Sequence, residues 1–97
     1  MAKAYWVATY RAITDPAALA AYAKLSRPAL EAAGGKVIAR GMPAAVFESG
    51  LNERVVVIEF DSVESARNAY ESPAYRAAHK LLGDGAERDI RIVEAET

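Results

Sequence analysis

The chain has 97 residues, 53% of them hydrophobic, and a formal net charge of −1 from 12 basic and 13 acidic side chains. That describes one domain with a single modest core, too evenly charged to follow a nucleic-acid backbone or to form an acidic solvating tail. The absence of cysteine removes disulfides, thiolate metal sites and a cysteine nucleophile, and fits a reducing cytoplasm.

Ala4 to Arg11 reads as the first strand, because Tyr5, Trp6, Val7, Thr9 and Tyr10 are aromatic or β-branched. Asp15 and Pro16 then supply an N-cap and a first helical residue, and Leu19, Tyr22 and Ala23 recur at helical spacing. Pro28 predicts a kink or a restart at Arg27, and Gly34 and Gly35 end the segment. Lys36 to Arg40 reads as a second strand, Ala45 to Glu48 as a short continuation or ribbon arm, and Ser49 to Glu53 as a turn. The third strand is Arg54 to Phe60. Ser62 caps the next helix by accepting from the Ser65 N–H, with Val63, Ala66 and Tyr70 as its apolar stripe. Ser72 and Pro73 start a separate helix, whose stripe is Ala74, Ala77, Ala78 and Leu81, flanked by Tyr75 and Leu82. Ile90 to Glu94 closes the chain as a strand.

The order is β-α-β-β-α-β with the second helical part split. It predicts a ferredoxin-like α+β fold, one domain over residues 1–97 with a four-stranded antiparallel sheet and helices on one face. Side chains alternate across a strand. Val56, Ile58 and Phe60 share one face with Trp6, Ala8 and Tyr10 and are assigned to the helices. The other face carries Tyr5, Val7, Val55 and Val57 beside Thr9, Arg11 and Glu59. An apolar patch of that size needs a cover, and a second copy packed sheet to sheet about a two-fold axis supplies one. A homodimer through the sheet face is therefore expected.

The segments "YWVATYRAITDPAALAAYAKL", "GGKVIARG", "ERVVVIEFDSVESARNAYESPAYRAA" and "RDIRIVEAE" resemble a bacterial family known as domain of unknown function number thirteen-thirty. The resemblance runs through almost the whole chain and is most specific at "ERVVVIEF" and at Tyr70, Ser72-Pro73 and Tyr75. Asp61 stands where that family often has proline. The resemblance implies the dimeric α/β-barrel superfamily, which includes small cofactor-independent monooxygenases, lactone isomerases and stress-responsive proteins. It implies no agreed reaction and carries over no catalytic residue.

The candidate polar groups of a ligand pocket are Thr9, Arg40, Arg54, Glu59 and His79, without assigned roles. His79 is the one histidine. Its neutral-range pKa suits acid–base work, although a single helix histidine also serves as a packing or surface residue. Arg40 and Arg54 stand on neighbouring strands, where either guanidinium can hold a carboxylate or enolate, or else pair with Glu59 or Glu48. Glu59 lines the space beyond the outer sheet face or pairs with an arginine near a strand end. Tyr5, Trp6, Tyr10, Tyr22, Tyr70 and Tyr75 are core or interface residues, a few of them able to line a flat apolar pocket. One histidine, no cysteine and unclustered carboxylates predict no metal site, and the lack of a nucleophile elbow, a dinucleotide loop or a phosphate loop predicts no cofactor. The even charge argues against RNA on the sheet. The first ten residues lack a signal peptide's apolar stretch and no run reaches the roughly 20 residues of a membrane span, so a cytoplasmic location away from membranes is expected. Two readings follow. One is a small dimeric protein that binds an aromatic or lipophilic organic ligand, with cofactor-independent catalysis left open. The other is a non-catalytic regulatory or stress-related dimer.

Overall fold

The computed structural model describes residues 2–96. Seven elements follow one another: β1 (Ala4–Ile13), α1 (Pro16–Ala32), β2 (Lys36–Gly41), β3 (Val55–Phe60), α2 (Val63–Glu71), α3 (Pro73–Leu82) and β4 (Ala86–Glu94). The strands form one antiparallel sheet in the order β2-β3-β1-β4, which is the ferredoxin-like topology expected from the element order. β1 and β3, the strands with apolar residues on both faces, lie at its centre.

The helices begin where their caps predict. Asp15 accepts from the Ala18 N–H at 3.1 Å, Ser62 from the Ser65 N–H at 3.0 Å and Ser72 from the Tyr75 N–H at 3.3 Å. All three side chains satisfy donors that a first helical turn leaves unpaired. Ser72 also donates to the Ala69 carbonyl at 2.8 Å, so one residue closes α2 and opens α3.

The inner face of the sheet packs against the helices as parity predicts. Trp6, Ala8, Tyr10, Ile58 and Phe60 are buried, and Trp6 gathers the aromatic core, with Phe60 at 6.0 Å, Tyr70 at 5.7 Å and Tyr75 edge-on at 5.3 Å. These are separations at which ring quadrupoles attract. The molecule measures 37 × 34 × 16 Å, a sheet with one helical layer, and Tyr5, Val7, Val55 and Val57 on the other face are only half-buried.

Five details depart from the sequence reading. α1 continues through Pro28 without a restart, because Pro28 and Lys24 are exposed and water can satisfy the Lys24 carbonyl that proline cannot pair. Ala45 to Glu48 is no strand: Met42 to Arg54 is an irregular loop, turned at Gly50, whose N–H donates to the Phe47 carbonyl at 3.0 Å. In α3 the buried set is Tyr75, Ala78 and Leu82, while Ala74, Ala77 and Leu81 are exposed. One tyrosine ring removes more apolar surface from water than several alanine methyls, so it sets the rotation of the helix. β1 extends to Ile13 beyond an irregularity between Tyr10 and Ala12. β4 begins at Ala86, four residues before Ile90, its charged start held in register by Tyr10 opposite Arg88 and Thr9 opposite Asp89.

Candidate functional site

Two groups of polar residues form, one on each face of the sheet. The inner group lies in a cleft of about 80 Å³ between the sheet and α1. Its walls are apolar, with Trp6, Ala8, Leu19, Leu30, Val37 and Ile58, and its polar groups include Tyr10, Tyr22, Ser26 and the guanidinium side chains of Arg27, Arg40, Arg54 and Arg88. Strand parity explains the arginines. Arg54 continues the inward series Val56, Ile58 and Phe60, and its carbonyl accepts from the Tyr10 N–H at 3.0 Å. Arg88 continues the inward series Ile90 and Ile92 and faces Tyr10. Arg40 faces Val56 across a register shift in β2 between Val37 and Ala39, which puts Val37 and Arg40 on the same side.

Arg88 is held by three phenols. One terminal nitrogen donates to the hydroxyls of Tyr10 and Tyr22, each at 3.1 Å, and the other donates to that of Tyr75 at 3.0 Å. The guanidinium also lies over the Tyr22 and Tyr10 rings, 4.7 and 5.5 Å from their centroids, the range of cation–π attraction. Tyr22 and Tyr75 share a further hydrogen bond at 2.8 Å. Burial, followed by the neighbouring Tyr22, pushes the Tyr75 phenol well above its ordinary value. Burial works against the charge on Arg88, but the surrounding phenol oxygens outweigh it and raise its pKa.

Arg54 is placed differently. Its Nε is buried with no hydrogen-bond partner among the described residues. Leaving such a donor unpaired costs about 1–3 kcal/mol. The expected pairing of Arg40 or Arg54 with Glu48 or Glu59 does not occur: among the described residues the ion pairs engage Lys3, Arg11, Arg27 and Arg91 instead. An apolar-walled cleft with inward guanidinium groups can stabilise negative charge, whether resident on a carboxylate or developing on an enolate.

The outer face holds Thr9 and Glu59, away from that cleft. Thr9 donates to Asp89 at 3.1 Å, and Asp89 also takes hydrogen-bonded charge from Arg11 and lies 3.3 Å from Arg91 Nε. Glu59 pairs with Lys3 at 3.4 Å rather than with an arginine. His79 stands on α3 beside the Tyr70 and Tyr75 rings, at 6.2 and 6.1 Å, and lines a separate groove that reaches Arg88 from the β4 side. Burial, then Arg88 and Arg76, hold its pKa below the usual histidine value. Of the five candidates the structure therefore brings together only Arg40 and Arg54. Arg88 is absent from the sequence reading because a fourth strand begun at Ile90 excludes it; its parity with Ile90 and Ile92 was the available signal.

An apolar, cation-lined cleft beneath an antiparallel sheet defines a two-layer ferredoxin-like α+β protein with its cavity between sheet and helices. The sequence profile of the family described as a domain of unknown function (DUF1330) matches residues 3–96, and the chain belongs to that family. It is similar to a solved protein of unknown function from Rhodopseudomonas palustris, at 21% identity and a TM-score of 0.76, covering 99% of this chain and 84% of the other. SnoaB, a cofactor-independent oxygenase from Streptomyces nogalater, shares the fold at 12% identity and a TM-score of 0.68, over 100% and 96% of the two chains. A dimeric ferredoxin-like protein of unknown function from Thermobifida fusca does so at 20% identity and a TM-score of 0.66, over 97% and 92%. No curated protein matches the chain. Among the described residues no helix is long and apolar enough to cross a membrane.

Proposed function

We propose that this protein is a homodimer whose subunits each bind a small organic molecule in the cleft between the sheet and α1. The observation that carries the ligand reading is the contrast between the two polar groups. On the outer face Thr9, Arg11, Asp89 and Arg91 satisfy one another, as interface residues do. In the cleft, apolar walls meet inward arginines, one with a buried unpaired donor, the pattern of a ligand site. The apolar walls suit an aromatic or lipophilic body, the fold shared with a cofactor-independent oxygenase supports a bound organic molecule, and the fold shared with a protein described as dimeric supports the pairing of two copies.

The test fills the cleft. Ala23 lines it and is half-buried. Native mass spectrometry of the purified protein, alone and after soaking with small aromatic and aliphatic compounds, should show a bound small molecule in the parent chain and none in Ala23→Phe. Equal binding by both proteins, or none by the parent across the panel, overturns the reading.

A further inference from the structure

We propose that the cleft selects an organic acid, with its carboxylate received by Arg54 and Arg40 and its apolar body laid against Trp6, Ile58 and Leu30; this rests on the ligand-binding reading above. Every ionisable group lining the cleft is either an arginine or a tyrosine, and no carboxylate lines it. Arg27 already has a partner, Glu31 at 3.4 Å. Among the described residues Arg40, Arg54 and Arg88 have no ion-pair partner.

Partly buried cations without counter-charges are unusual, since burial favours charges that are paired. Arg88 has a substitute for one in its three phenol acceptors. Arg54 has none: its Nε is buried without a partner, and its side chain lines the cleft with no ion pair among the described residues. Arg40, exposed at the rim, stands opposite Val56, two residues along from Arg54, so the two side chains are diagonal neighbours on one face, a relation within reach of long side chains. A planar carboxylate between two planar guanidinium groups takes paired hydrogen bonds that a neutral amide or alcohol cannot reproduce. The apolar walls separate this site from one for a bare inorganic anion, and about 80 Å³ of room, against about 150 Å³ for a cavity that holds benzene, encloses a short chain wholly and a single ring in part.

Trp6, the one tryptophan, forms part of the wall and reports occupancy. Its fluorescence is followed during titration with benzoate and phenylacetate, with their isosteric amides and with inorganic phosphate; indole, the fluorophore of tryptophan itself, is titrated as a neutral aromatic by calorimetry, which gives all the affinities. The expected result is binding of the acids at least tenfold tighter than of their amides, weaker binding of phosphate, and loss of the acid preference in Arg54→Gln and Arg40→Gln with amide affinity unchanged. Arg91→Gln, on the outer face, should behave as the parent. Equal binding of acid and amide, or binding of indole alone, overturns the organic-acid inference and leaves the ligand-binding reading standing. Phosphate binding as tightly as the acids also overturns it, in favour of a simple anion site. Silence from every probe in both readouts overturns the inference and the reading together.

Discussion

At the scale of single residues, the Tyr10, Tyr22, Tyr75 and Arg88 group ties four elements together, β1, α1, α3 and β4, through side-chain hydrogen bonds. Tyr75 is fully buried, and its hydroxyl is joined to both Tyr22 and Arg88. Tyr75→Phe keeps the ring and removes the hydroxyl, leaving the partners to re-pair. It should cost about 1.5–3 kcal/mol in urea unfolding, the range for hydrogen bonds to a charged group. The same phenol gives a pH signature. Its folded-state pKa lies above the ordinary 10.0, so folding favours the protonated form. The contribution is fully present below pH 10 and is lost as pH rises above it. The parent should therefore lose stability more steeply than Tyr75→Phe on the alkaline side, measured as unfolding midpoints between pH 9 and 11 (about one unit to each side of the free phenol); parallel curves would refute it. Arg54 was legible here in sequence, since it repeats the two-residue period of Val56, Ile58 and Phe60. Arg88 was legible only by extending the period of Ile90 and Ile92 back across a charged stretch. The hydrogen bonds among phenols were not, because nothing in a linear sequence says which tyrosine hydroxyls converge.

At the scale of elements, the caps were written in the sequence and the irregularities were not. Asp15, Ser62 and Ser72 act through bonds only three residues long, so their geometry is local. The shift in β2 between Val37 and Ala39 reflects pairing with β3, and strict alternation would have put Val37 and Arg40 on opposite faces. Two substitutions probe how tightly α1 and its exit are set. Pro28 removes one helical hydrogen bond on an exposed surface, so Pro28→Ala should stabilise the protein. A proline inside a helix costs about 3 kcal/mol, of which about 1 kcal/mol is returned by its stiffening of the unfolded chain. A gain of about 2 kcal/mol in urea unfolding is expected, and a loss would mean that the proline ring packs against something essential. Gly35 turns the chain from α1 into β2 under the core. A Cβ there would lie 2.8 Å from Phe60 Cζ and 2.9 Å from the Leu30 carbonyl oxygen. Gly35→Ala should cost about 1–3 kcal/mol, the usual range for overpacking, and shift the midpoint of the same unfolding curve downward.

At the scale of the whole molecule, the sheet has one face sealed by helices and another whose apolar centre is only half covered. Val57 lies at the middle of that face, opposite Val7 on β1 and Ala39 on β2. Beside it rises the Met42 to Arg54 loop, with Phe47 79% and Met42 60% exposed. The loop and the outer face together line a trough of about 440 Å³ that includes Thr9, Arg11, Val55 and Asp89. Large apolar side chains held in solvent around an apolar sheet centre are what a face-to-face partner would bury. In a pair centred on this face, a residue at its middle lies beside the two-fold axis and so near its own copy. Val57→Lys then places two ammonium groups close together in a dry interface, at a penalty of several kcal/mol per ion. In a single subunit the same lysine reaches water at little cost. The substitution should leave the helical and sheet signal of the circular dichroism spectrum intact while converting a sedimenting dimer to a monomer. A parent chain that sediments as a monomer at micromolar concentration, or a Val57→Lys variant that remains dimeric, would show that the outer face is not where two copies meet. The cleft beneath α1 would be untouched by that result, because its walls and its arginines all come from one chain.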